Sequence, residues 1–193
     1  MLALASSLIL CYATVTVANL LFHGPYAMDL ESLADCDDAE YKDLLKCNVH
    51  LVQLNNGDIV YQGNLTFNFD MDDPKLLTKC LFYTWGTTGG WYYSYGHDVY
   101  DVMEFTSKKF PKTFHNTYSA MGVNGKPMKA GTYPFRNFSM KDHQLENFLI
   151  LPYGRFRLVI YFSKDDKPLG CLDIRIRIRE KGNVGSLVSS ILG

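Results

Sequence analysis

"KPLGCLDIRIRIREKG", residues 167–182, alternates strictly once past its cysteine. Leu172, Ile174, Ile176 and Ile178 fall on one side, and Asp173, Arg175, Arg177 and Arg179 on the other. A period of two marks a strand with one covered face and one wet face. The oily face therefore needs a second layer to lie against. Just upstream, "RFRLVIYF" (155–162) repeats the pattern, with Phe156, Leu158, Ile160 and Phe162 on one side. The polar turn "SKDDKP" (163–168) joins the two strands. In "NLTFNFD" (64–70), Leu65, Phe67 and Phe69 face one way.

Other strands follow by the same reasoning. "NVHLVQL" (48–54) and the run into "NLTF" flank Asn56-Gly57, a strong hairpin signal. "KLLTKCLFYTW" (75–85) and "WYYSY" (91–95) flank the turn "GTTGG". Val99, Val102 and Met103 in "HDVYDVMEF" (97–105) have helical spacing, which predicts one short helix there. Residues 19–40 read as mixed, and residues 107–130, rich in Lys, Gly, Pro and Asn, as a long loop. Six or more short strands punctuated by turns predict an all-β, antiparallel sandwich or barrel.

The segment "MLALASSLILCYATVTVANLL" carries no charge, and Thr16 and Ala18 form a small-x-small cleavage pattern. Residues 1–18 are expected to be a secretory signal, leaving 19–193 as a single domain on the secretory route. Cys36, Cys47, Cys80 and Cys171 remain after removal of Cys11. Four cysteines in an exported chain predict two disulfides, for which three pairings exist. No C-x-x-C pair accompanies them, so no metal site is expected. Asn64-Leu65-Thr66 and Asn137-Phe138-Ser139 are sequons, expected to carry glycans.

The formal net charge of −1 gives no overall field to draw nucleic acid. There is no G-x-S-x-G, H-E-x-x-H or phosphate-binding glycine motif. His97 beside Asp98, with Asp101 further on, is the best catalytic candidate. A surface histidine at a helix start explains it better, since no nucleophile is marked. The expectation is a protein that is not an enzyme and needs no cofactor. Arg157, Arg175, Arg177 and Arg179 read first as a solvated outer face paired with acids, and second as a site for anionic headgroups or sialylated sugar. Trp85, Trp91, Tyr92, Tyr93 and Tyr95 suit a membrane-facing rim or a pocket mouth, with an ordinary sheet core as the equal alternative, and the rim is the reading taken. Consecutive Trp91, Tyr92 and Tyr93 cannot all point inward from one strand.

"PMKAGTY" (127–133), "LPYGRFRLVIYFSKDDKPLGC" (151–171) and "LDIRIRIREKG" (172–182) together resemble the C-terminal third of the G(M2) ganglioside activator family. These are sphingolipid activators of the lipid-recognition sandwich group. "GNLTF" (63–67) is similar to the family's glycosylated strand, "ADCDDAE" (34–40) to its first cysteine, and "HDVYDVM" (97–103) to its short helix. The resemblance implies a β cup with an apolar lipid cavity. Its lining would be Leu65, Phe67, Phe69, Phe156, Leu158, Ile160, Phe162, Leu172, Ile174, Ile176 and Ile178. It implies a Cys36–Cys171 bond, which leaves Cys47 and Cys80 to each other. It further implies extraction of a glycosphingolipid or similar membrane lipid, with transient contact to a membrane surface. Presentation to a glycosidase of the hexosaminidase type, in the lysosome or outside the cell, would follow. The family's extra cysteines around the helix are missing here. A chemosensory carrier of small hydrophobes, from the same broad group, is the alternative.

Overall fold

The computed structural model describes residues 23–24, 26–41, 44–57, 59–139 and 151–181. The expected signal segment lies outside the described residues. Ten strands are present: β1 (His23–Gly24), β2 (Tyr26–Asp35), β3 (Leu45–Gln53), β4 (Ile59–Phe67), β5 (Leu76–Trp85), β6 (Trp91–Tyr100), β7 (Gly131–Phe138), β8 (Leu151–Pro152), β9 (Gly154–Lys164) and β10 (Lys167–Glu180). Two helices follow one another, α1 (Val102–Lys109) and α2 (Pro111–Ala120). All pairings are antiparallel. One sheet has the order β2-β10-β9-β5-β6, a second β3-β4-β7, and β1 pairs with β8. This is the expected all-β sandwich.

β10 lies second from the edge of the large sheet, which answers what its oily face covers. Ile174 stands beside Leu158 on β9 and Leu33 on β2, and Ile176 beside Phe156 and Leu30. That face looks toward β3 and β4. At one end the layers close tightly. Phe67 of the small sheet meets Phe162 of the large one, 6.4 Å between ring centroids, and Phe69 lies 5.5 Å from Phe162. Leu45, Leu76, Met103, Met128 and Leu172 belong to the same buried cluster. Gly170 is required there, because a Cβ on it would sit 2.4 Å from Cβ of Leu45. Gly63, at φ 146°, allows β3 equally close, since a Cβ would meet the Asn48 carbonyl at 2.0 Å.

Two expectations are corrected. The helix begins at Val102, not near His97, because β6 runs on to Tyr100. Asp101, at φ 52°, ends the strand, and its carboxylate accepts from the Glu104 amide as an N-cap. The segment 107–130 is not all loop, since α2 occupies ten of its residues. Pro111 opens that helix at a position where no amide partner is needed. Phe114 and Tyr118, one turn apart, stack at 4.3 Å and pack onto the closed core.

Cys36 and Cys171 are bonded, with 5.4 Å between their Cα atoms. The bond ties the residue after β2 to β10, where Cys171 is fully buried. The second bond is not formed: Cys47 and Cys80 are free. Cys47 stands over β2, its thiol donating to the Leu33 carbonyl at 3.4 Å. Cys80 is on β5, three strand steps from β2. At about 4.8 Å per step the separation is about 14 Å, far beyond disulfide reach.

Candidate functional site: an apolar trough on the large sheet

In a filled two-layer sandwich, the residues between the sheets are the most buried ones. The middle of β9, the central strand, reverses this order at Val159. Val159 points away from the second sheet and is 3% exposed. Its neighbours Leu158 and Ile160 point toward that sheet and are only partly buried. Phe156, Ile174 and Ile176 on the same face are also partly buried, as are Cys80 and Phe82 of β5.

This zone lies between two packed ends. One is the closed core with Leu65, Phe67, Phe69, Phe162 and Leu172. The other is a smaller cluster of Tyr26, Met28 and Ile178, with Leu151 and Tyr153 against it. Of the eleven residues expected to line a cavity, these six fill the ends with protein side chains. The other five form a trough floor, with Phe156 and Ile176 edging the second cluster and Ile160 and Ile174 edging the first. Leu158 and Phe82, paired across β9 and β5, belong to neither described cluster.

The trough is walled on the β2 side, where the Tyr61 hydroxyl on β4 donates to the Leu30 carbonyl. Toward β6 no further strand covers it among the described residues, and Phe105 of α1 packs against His97 at 5.9 Å. Tyr95 and His97 continue the floor in register with Phe82 and Cys80, and both are exposed. Phe82 and Tyr95 stack at 4.3 Å. Two of the floor's flanking groups are thiols. Burial, with the Asp98 charge added, pushes the Cys80 thiol up to about 11, and burial with Asp35 does the same for Cys47. Both are thus neutral at physiological pH and add to an apolar lining.

The aromatic run divides between the two faces, as strand geometry demands. Trp91 and Tyr93 stand opposite Trp85 and Tyr83 on the outer face. Arg155 lies 5.2 Å from the Trp85 ring centre and 5.8 Å from that of Trp91. Tyr92 packs over Gly86 in the hairpin turn. Trp85, Tyr92, Tyr93 and Tyr95 are exposed, and Trp91 is partly buried. This hairpin tip is at the end of the sheet opposite the closed core. The β3–β4 tip is at that same end, with Leu51 51% and Ile59 58% exposed. The sequence reading missed these two. Their signal was an apolar pair flanking an Asn-Gly turn with no partner to cover it.

The outer face of the large sheet carries the arginine ladder, and its acids are cross-strand neighbours. Arg155 and Arg177 both donate to Glu31, at 2.8 and 2.7 Å. Arg157 and Arg175 share Asp173, each at 3.1 Å, and Arg179 pairs with Asp29 at 2.6 Å. The structural reading of the ladder holds. Burial raises the Glu31 carboxyl, but the hydrogen bonds from Arg177 and Arg155 outweigh it and hold it below the ordinary value of 4.5. A depressed carboxylate stabilises the fold above the unfolded value, and that contribution is lost as pH falls through the folded one. Glu31→Gln is therefore expected to flatten the stability profile below pH 4.5, as read by thermal melts across acid pH.

Both sequon asparagines are exposed, Asn64 on β4 and Asn137 at the end of β7, on the small sheet. Among the described residues no group of three metal-ligating side chains occurs, and no helix is long and apolar enough to cross a membrane. The chain matches no protein-family model and no curated protein.

Proposed function

We propose that the protein is a secreted, non-enzymatic lipid-binding protein, resembling the ganglioside activators, that lifts an amphiphile from a membrane and holds its hydrocarbon in the trough. The observation that carries this reading is the inverted burial on β9, where Leu158 is less covered than Val159. Apolar side chains on a central strand cost free energy when left wet, and an acyl chain supplies the missing cover at ~0.8 kcal/mol per buried CH₂. The headgroup stays at the open side, beside Tyr95 and His97, available to a second protein such as a glycosidase. The tips bearing Trp85, Tyr92, Tyr93, Leu51 and Ile59 touch the membrane surface, where amphipathic rings are favoured. The Cys36–Cys171 bond and the sequons fit the secretory route, in a lysosome or outside the cell.

The test is extraction of fluorescent glycosphingolipid from phosphatidylcholine vesicles. Trp85→Ala combined with Leu51→Ser is expected to reduce vesicle association at least tenfold while leaving the melting temperature within a few degrees, both sites being exposed. Equal extraction by this variant would remove the membrane role of the tips. No extraction by the unaltered protein would remove the transfer function itself. Transfer of single-chain hydrophobes but not of glycosphingolipid would favour a chemosensory carrier.

A further inference from the structure

The open side of the trough is also the free edge of the large sheet. β6 is the last strand in the order, and among the described residues no further strand pairs with its outer edge, while α1 packs on its C-terminal half with Phe105 5.9 Å from the His97 ring. Protein edges are ordinarily guarded by lysine, proline, short length or a covering element. β7, an edge of the small sheet, has Pro134, a left-handed Asn137 and the neighbouring α2. β6, "WYYSYGHDVY", has no lysine or proline, and one bulge where Ser94 is the extra residue. Its only formal charge is Asp98, so like-charge repulsion between two copies is limited to one carboxylate from each. Of the seven exposed large hydrophobic residues among those described, four are on β6: Tyr92, Tyr93, Tyr95 and Tyr100.

We infer that β6 pairs with β6 of a second copy, closing the trough's open side. This rests on the trough reading. The geometry favours a second copy over another partner, because an antiparallel pair of identical edges satisfies both sets of backbone groups about one two-fold axis. That axis stands normal to the sheet, so the inner faces of both copies lie on the same side. Tyr95 and His97 of each copy then border the other's trough, and the site exposed in one copy is shielded in two. The strands run antiparallel, so each copy's hairpin tip lies beside the other's Tyr100, and the two tips point in opposite directions. A paired molecule cannot set both tips on one bilayer. Pairing is the lipid-free form in solution, and it gives way at a membrane, where the headgroup takes the place of the second copy. A ten-residue strand is about 34 Å long and the sheet about 10 Å deep, so the contact is small and the dimer weak and reversible.

Sedimentation of the lipid-free full chain from micromolar to millimolar concentration tests this without depending on lipid. The expected result is a mass rising reversibly toward twice the monomer. Tyr95→Lys with Tyr100→Lys, both exposed, is expected to weaken association at least tenfold. Leu51→Lys, equally exposed but off the edge, leaves it unchanged. Hydrogen exchange keeps the test valid if the double variant folds poorly, since the outward amides of β6 in the unaltered protein gain protection only at high concentration. A monomer at millimolar concentration, association equally lost in Leu51→Lys, or unchanged exchange at β6 would each overturn the proposal. Lipid extraction by a protein that never dimerises would overturn it while leaving the trough intact.

Discussion

Cys36→Ala with Cys171→Ala is expected to lower the melting temperature by roughly 10–20 °C. The bond closes a separation of 135 residues. In the chain-entropy account a loop of that size constrains the unfolded state by about 5 kcal/mol. For a domain of this size each kcal/mol shifts the midpoint by about 2–4 °C. Native contacts change little, because β2 stays paired with β10 from Tyr26 to Asp35 without the bond. The effect should therefore appear in unfolding equilibria while the fold, read by circular dichroism, persists at low temperature. A loss under about 1 kcal/mol would mean that the unfolded chain is already compact around this contact.

The second large effect is a contrast between two leucines on the same face. Leu172→Ala, in the closed core beside Leu45 and Phe162, is expected to cost about 3–5 kcal/mol, since it opens a cavity among packed neighbours. Leu158→Ala, on the neighbouring strand β9 and in the trough floor, is expected to cost the lipid-free protein under about 1 kcal/mol. Few neighbours surround it to leave a void. With an acyl ligand bound the order changes, because Leu158 then has a packing partner to lose. Chemical denaturation with and without ligand measures both. Equal costs for the two substitutions in the lipid-free protein would mean a filled sandwich.

Much of this fold was legible where alternation is unbroken. In β10, in the second half of β4 and at the start of β9, apolar residues alternate with polar ones, so which side chains face inward follows from the period, although their degree of burial does not. β2 was not legible, and its register explains why. Ser32 stands opposite Arg175 and Leu30 opposite Ile176, leaving Glu31 as an extra residue. Leu30 and Leu33 thus face the same way three residues apart, a spacing that hides the strand's alternation. The second helix was hidden by its Pro, Lys and Asn content, although Pro111 with Phe114 and Tyr118 marked it. The Cys47–Cys80 pairing failed because elimination takes no account of which sheet a cysteine stands on. The site was half legible. The pattern picks out which side chains face inward, but whether another side chain or empty space meets them depends on how far two layers separate. That distance is set by contacts such as Phe67 with Phe162 at one end and Tyr61 with Leu30 at the side.

The most direct measurement is native mass spectrometry of the purified chain incubated with a lysophospholipid, alongside Phe82→Arg. An acyl-binding site between the sheets predicts a one-to-one adduct for the unaltered chain and none for the arginine variant, which puts a charge beside Leu158. An unaltered chain that takes up no lipid, or one that takes it up no better than the variant, contradicts the proposal that hydrocarbon is held between these sheets.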